Sequence, residues 1–258
     1  MSTLKISVLQ QPLVWLDGEA NLSHFDSLLG TLLNRDLIVL PEMFTTGFAM
    51  QAPGRALPES RVIEWLQQWA NRLNAMIGGS VALATAKGAV NRFLLVEPNG
   101  EVYRYDKRHL FRMAGEHNYY VAGTRREIVE WRGWRILPQV CYDLRFPVWS
   151  RNNQDYDLAL YVANWPARRT HHWQTLLTAR AIENQAYVAG CNRIGDDDNG
   201  HHYSGDSLII NPLGEELARA EPSAAMIIEA ELSLEALQEY REAFPAWRDA
   251  DRFQHQES

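Results

Sequence analysis

A cysteine and a glutamate stand out because each closes an apolar run of strand length, and a lysine because it comes immediately after a strand. Cys141 lies in VCYDLRFP (residues 140–147), behind RILPQV and ahead of PVWSRNNQ, which opens on a proline and reads as a short helix. A thiol where a buried strand breaks into a helix is presented at the mouth of an α/β sheet. The helix start would favour a thiolate, and the unpaired N–H of Tyr142 could receive an oxyanion. Position alone leaves two readings open, a nucleophile or a buried thiol that only fills space. Glu42 stands directly behind DLIVLP, and desolvation there suits a carboxyl to proton transfer. Lys107 ends EVYRYDK; beside a cysteine it would stabilise a thiolate and later an oxyanion, although most lysines after strands are solvated surface.

Other groupings carry less. A Cys–His hydrolase would need His109, His171 or His172 brought to Cys141. A cysteine phosphatase wants an arginine six residues after the cysteine, whereas Arg145 is four on and the stretch lacks glycine. Arg180 and Glu183 are three apart on one helix and read as a structural ion pair. Cys191 follows an apolar strand and reads as inert. The loop GDDDNGHHYSGDS, with His201 and His202, has no metal-ligand spacing on a rigid element and reads as flexible.

The elements that must position these residues repeat. Leu4 to Gln10 reads as a strand, and Leu22, Phe25, Leu28, Leu29, Leu32 and Leu33 recur at helical spacing. DLIVLPE reads as a parallel strand covered on both faces, Pro58 to Leu73 as a second helix, and AMIGGSVALA as a strand. NRFLLVEP and EVYRYD form a hairpin across Asn99-Gly100. The second half follows the same order: RILPQVC, PVWSRNNQ, DLALYVANW, HHWQTLLTARAIENQ, AYVAGCNR, then a hairpin in DSLIINPLGEEL. Each copy leaves one sheet face bare, and stacking the bare faces gives a four-layer α-β-β-α sandwich with an internal pseudo-repeat. A single doubly wound sheet is the rival and would leave the hairpins as awkward edges. Pro138 conflicts with a central strand and calls for an edge or a bulge.

AMIIEAEL adds a strand, and Leu234, Leu237, Tyr240 and Phe244 line a last helix. The arm from about 232 to 258 carries Phe244, Trp247 and Phe253 with no core segment left to cover, which points to a homodimer interface. The alternative is that the arm folds back on its own domain. All 258 residues suit one α/β domain, with 46% hydrophobic residues to fill it. A net charge of -7 argues against nucleic acid or an anionic membrane as partner. Two cysteines fifty residues apart form no disulfide framework, the start MSTLKISVLQQ is not a signal peptide, and no apolar run reaches membrane-spanning length. A cytoplasmic location is expected.

LPEMFTTGF around Glu42, YDKRHLF around Lys107 and VCYDLRFP around Cys141 resemble, in order and spacing, the three signature segments of the nitrilase, or carbon–nitrogen hydrolase, superfamily. With ANWP at 163–166 and ARAIENQAYV, the resemblance covers essentially the whole chain. It is closest to the omega-amidase branch, which includes bacterial 2-oxoglutaramate amidases. The resemblance implies the same four-layer sandwich, and it implies Glu42 as general base, Lys107 as the family's lysine and Cys141 as nucleophile. A second glutamate matches Glu116 in MAGEHNYYVAG, seven residues before Gly123. It further implies an amide substrate and water, a thioester intermediate, no metal and no cofactor. Omega-amidases act on small dicarboxylate monoamides, so a cation should meet the acid end. Arg168, just past ANWP, is the first choice beside Arg169; Arg145 reads as a structural partner of a carboxylate. Trp165, Phe48 and Phe44 are candidate walls. Nitrile hydrolysis, acyl transfer and a catalytically silent interaction subunit stay open.

Overall fold

The computed structural model describes residues 3–251. Its first half runs β1 (Thr3–Gln10), α1 (Gly18–Leu29), β2 (Leu37–Val39), α2 (Glu59–Leu73), β3 (Met76–Thr85), β4 (Gly88–Val96) and β5 (Val102–Asp106). Its second half runs β6 (Val129–Trp131), β7 (Trp134–Val140), α3 (Pro147–Ser150), β8 (Leu158–Ala163), α4 (Thr170–Asn184) and β9 (Tyr187–Asn192). A ribbon follows, β10 (Ile194–Asp196) with β11 (His202–Ser204), then β12 (Leu208–Ile210), β13 (Glu216–Arg219), β14 (Met226–Ser233) and α5 (Leu234–Ala243).

These strands make two six-stranded mixed sheets, ordered β14-β1-β2-β3-β4-β5 and β13-β12-β9-β8-β7-β6. The repeat is visible in the pairing. Strands β1, β2 and β3 are parallel and are followed by antiparallel β4 and β5. In the same way β7, β8 and β9 are parallel and are followed by antiparallel β12 and β13. Each copy also gains an antiparallel edge, β14 on β1 and β6 on β7. One apolar cluster joins the two sheets, with Leu4, Ile6, Val8 and Phe93 against Ile136, Leu160, Val162 and Ile209. A second packs α1 and α2 on the first sheet, and a third packs α4 on the second. Helices α1, α2 and α4 therefore cover the outer faces, and the four layers follow.

Local detail departs from the sequence reading at several points. Helix α1 stops at Leu29, so Leu32 is buried in the following turn while Leu33 is 73% exposed. The segment after Cys141 is a 3₁₀ helix over Cys141–Arg145, and only Pro147–Ser150 is α-helical. Pro138 is accommodated by register. Arg135 exchanges backbone contact with Asp157 on the β8 side, so residues 136 and 138 face β6. Strand β6 ends opposite Trp134–Ile136, and Pro138 lies beyond it, where no strand asks for an N–H. Loop 195–205 is partly the β10-β11 ribbon rather than wholly irregular. Arg180 pairs Glu183 at 2.7 Å and also donates to the Leu144 carbonyl at 2.6 Å, tying α4 to the segment after the cysteine.

The last helix folds back on the chain. Leu237 is buried in the core between the sheets, and Arg241 reaches Asp157 at 2.8 Å. Phe244 is 58% exposed, Trp247 sits in a short 3₁₀ turn, and Phe253 lies outside the described residues. No helix among the described residues is long and apolar enough to cross a membrane.

Candidate active site

Glu42 comes from the tight turn that ends β2. Met43 has a φ of 46°, and its N–H donates to Ser80 Oγ at 3.0 Å, which turns the chain sharply after the strand. Gly79 on β3 makes room, since a Cβ there would stand 2.8 Å from Leu40 Cβ. The fully buried Glu42 carboxylate accepts from Asn91 Nδ2 at 2.8 Å and Lys107 Nζ at 3.1 Å on one oxygen. Its other oxygen accepts from the Asn164 N–H at 2.6 Å, and Asn164 Nδ2 donates to the Glu42 carbonyl at 2.7 Å. Three neighbours thus fix the orientation of one carboxylate.

Lys107 leaves β5 with its N–H on the Asn91 carbonyl, and its own carbonyl accepts from Gly123 N–H at 2.9 Å. That approach needs glycine, because a Cβ on Gly123 would fall 2.0 Å from the Asp106 oxygen. The Lys107 ammonium donates to both oxygens of Glu116 at 3.0 Å and sits 5.1 Å from the centre of the Phe48 ring. Glu116 is itself buried and held by the Phe111 N–H at 2.5 Å. Burial opposes charge on Lys107, but Glu116 and Glu42 outweigh it and hold the ammonium protonated well beyond the usual range. Burial raises the Glu116 pKa; Lys107 pulls against that and Glu42 adds to it.

Cys141 closes the set. It has a φ of 45°, a conformation that costs a non-glycine residue energy, and it is half-buried at the floor of a cavity of about 220 Å³. The Glu42 carboxylate and the Lys107 ammonium both act on its thiol. Burial and Glu42 push the thiol pKa well up, and Lys107 only partly offsets them. Burial and Glu42 thus work against a thiolate, which an α-helix start would have favoured. Tyr142 follows in the first turn of the 3₁₀ helix, where N–H groups have no acceptor inside the helix.

The cavity walls include Phe48, Phe111, Tyr142, Trp165 and Tyr203, with Arg145, Arg168, Arg169 and His201 also reaching it. Phe44 does not reach the cavity. It is fully buried under α1 and α2, edge-on to Phe25 at 5.9 Å and 6.0 Å from Trp65. Among the described residues Arg145 has no carboxylate partner: its guanidinium lies 4.8 Å from the Trp165 ring centre and contacts His172 Nδ1 at 3.0 Å. Among the described residues Arg168 and Arg169 make no ion pair either. Arg168 is exposed, whereas Arg169 is half-buried over Phe111 at 5.4 Å, its carbonyl accepting from Trp165 Nε1 at 2.8 Å. Of the three histidines weighed as bases, His109 Nδ1 donates to Asp143 at 2.8 Å, His172 meets Arg145, and none lines the cavity.

Sequence reasoning passed over Asn91 and Asp143; it placed Asn164, with Trp165, at a strand end where sites gather, but gave it no role. Asn91 had one weak signal, an amide inside a strand beside Arg92.

A thiol beside an anchored carboxylate, under a buried ammonium, on two stacked sheets, is the arrangement of a cysteine hydrolase. A family model described as carbon-nitrogen hydrolase matches residues 5–242, and the chain belongs to that family. It is 72% identical over 253 residues to "Omega-amidase YafV" of Yersinia enterocolitica, covering 98% of this chain and 99% of that protein. It is 34% identical over 220 residues to "2-oxoglutaramate amidase" of Bacillus subtilis, covering 83% and 84%. The crystal structure of XC1258 from Xanthomonas campestris, a CN-hydrolase superfamily protein with an arsenic adduct in its active site, superposes with a TM-score of 0.96. That comparison has 45% identity and covers 99% of this chain and all of the other.

Proposed function

We propose that this chain is a cysteine-dependent omega-amidase, which releases ammonia from the terminal amide of small dicarboxylate monoamides of the 2-oxoglutaramate or 2-oxosuccinamate type. The observation that carries the reading is the buried Glu42–Lys107–Glu116 cluster acting on Cys141 beneath a cavity where Arg168 and Arg169 make no ion pair among the described residues. The relatives named omega-amidase and 2-oxoglutaramate amidase support the same class of substrate.

In the mechanism, Glu42 takes the Cys141 proton as sulfur bonds to the amide carbon. Negative charge moves to the carbonyl oxygen, where the Lys107 ammonium and the Tyr142 N–H receive it. Collapse breaks the C–N bond, and the proton held by Glu42 leaves with nitrogen as ammonia. A thioester remains on Cys141. Glu42 then takes a proton from water, whose oxygen attacks the thioester. The C–S bond breaks, the proton returns to sulfur, and the acid departs. Glu116 keeps Lys107 charged and in place through both steps.

Arg168 and Arg169 are the cations for the distal carboxylate, with Trp165 and Phe48 as walls. Half-burial and the fixed backbone favour Arg169 for the direct contact, with Arg168 behind it at the mouth. Residues 1–258 form one domain in this reading. The arm from about 232 joins two copies in a homodimer, for which the exposed Phe244 is the support. Two free cysteines agree with a cytoplasmic location.

Ammonia release from an acid-bearing monoamide and a neutral amide of equal length tests the proposal. Cys141→Ala should abolish both. Met at Arg168 or Arg169 should raise KM about 10- to 100-fold for the acid-bearing amide only, the value of a charge-assisted hydrogen bond. Wild-type rates in Cys141→Ala, or equal losses on both amides in both arginine variants, would overturn it.

A further inference from the structure

Asp143 is a fully buried carboxylate two residues after the cysteine, and it touches no part of the cavity. It nevertheless accepts four hydrogen bonds. One oxygen takes the Tyr105 hydroxyl at 2.8 Å and the Val140 N–H at 3.0 Å. The other takes the His109 N–H at 2.9 Å and contacts His109 Nδ1 at 2.8 Å. Val140 belongs to the strand that delivers Cys141, while Tyr105 and His109 flank Lys107 by two residues on either side. The joint is stiffened further. Tyr105 Oη accepts from Trp149 Nε1 at 2.9 Å, and the His109 ring stacks on Phe146 at 3.8 Å between centroids, 8° from parallel. One carboxylate therefore bolts two segments from different sheets, one carrying the nucleophile and the other the ammonium.

We propose that Asp143 is a positioning residue that holds the Lys107 segment in register with the Cys141 turn, acting through Tyr105 and His109. The inference rests on the hydrolase reading only for the use to which that register is put. Lys107 matters to the sulfur because its charge is what partly counters burial and Glu42 at the thiol. A displacement of about 1 Å in a reacting group costs on the order of 100-fold in rate. A loosened bolt should therefore act on kcat and on thiol acidity, not on substrate affinity.

The test uses Tyr105→Phe and His109→Ala, which leave Asp143 in place, together with Asp143→Asn. Two readouts are needed, amide turnover and alkylation of Cys141 by 2-chloroacetamide across pH. Alkylation requires no turnover, so it reports the register even on a protein that fails to hydrolyse the chosen amide. The groups that face the thiol in that profile are Glu42, Lys107 and Glu116, with Arg169 further out. The expected result is a kcat lowered about 10- to 100-fold with KM within about twofold, and an alkylation profile displaced to higher pH. His109→Gln, which can donate to Asp143 again, should restore much of both. In a Lys107→Ala background the His109→Ala change should cost nothing further, because the group being positioned is gone. Folded His109→Ala and Tyr105→Phe proteins with unchanged kcat and an unshifted profile would overturn the proposal. So would a His109→Ala penalty that persists in full without Lys107. Asp143→Asn failing to fold would leave the decision with those two variants.

Discussion

At the scale of single residues, Glu42 has two effects on Cys141 that pull in opposite directions. Its negative charge helps to hold the thiol protonated, and its free oxygen lone pairs are where the proton must go. Glu42→Gln separates these effects. The thiol should become more acidic, since one of the causes that raises its pKa is removed, and Lys107 is left to favour the thiolate. Alkylation of Cys141 should then proceed at lower pH than in the wild type. Amide hydrolysis should fall instead, by about 10²- to 10⁴-fold, because the glutamine accepts no proton. An alkylation profile that moves upward would show that the carboxylate's charge does not govern the thiol. Glu42, Cys141 and the position of Asn164 were legible in the sequence because each follows an apolar strand, where open α/β sheets gather their sites. Lys107, after the mixed strand VYRYD, and Glu116 gained meaning only from the resemblance. Asn91 and Asp143 were not legible, and neither was the task of Asn164. Their partners lie 49, 34 to 38 and 122 residues away, and only the closed fold says that an amide or a carboxylate there has something to hold.

At the scale of elements, periodicity revealed the long strands and helices, and it failed where pieces are short. Three-residue strands such as β10 and β11 carry too few residues for an alternation to register, so the ribbon read as a loop. The five-residue 3₁₀ turn at Cys141 was likewise invisible, since the proline that signals a helix start acts only from residue 147. Strand β14 crosses from the second half to pair with β1, and α5 must then return to the second sheet. That return is held by Asp157, which accepts from Arg135 at 2.7 Å and Arg241 at 2.8 Å. Burial raises the Asp157 pKa, but the two arginines outweigh it and leave the pKa below its ordinary value. A carboxyl whose folded pKa is depressed stabilises the fold above its unfolded pKa, and that stability is lost as pH falls through the folded value. Asp157→Asn should therefore cost about 3 kcal/mol near neutral pH, the scale for breaking a buried pair. The difference from wild type should shrink in acid below about pH 4. Urea unfolding at two pH values measures it, and a penalty independent of pH would remove the ion pair as its cause.

At the scale of the whole molecule, the cavity is polar from end to end in charge. Behind Lys107 and Cys141 on its floor lie two buried carboxylates, Glu42 and Glu116, while three arginines that make no carboxylate ion pair among the described residues, and one aspartate, Asp197, stand at its walls and mouth. The chain as a whole carries -7, so three arginines set against the one aspartate at this mouth are a local exception that draws an anionic end and leaves the neutral end to enter first. Under the amidase reading, hydrolysis changes the charge at one place only. A neutral amide on the floor becomes a carboxylate facing Glu42 and Glu116, while the distal acid stays with its arginines. The dicarboxylate product should therefore bind more weakly than the monoamide substrate, by at least about tenfold, or about 1.4 kcal/mol. Calorimetry on Cys141→Ala, which binds both without turnover, measures the two affinities directly. Glu116→Gln in that background should narrow the gap by removing one repelling charge. Lowering pH should narrow it too, because Glu116, whose pKa burial raises, is neutralised before an ordinary surface carboxylate. Equal affinity for product and substrate at neutral pH would mean that the charge on the floor does not expel the acid.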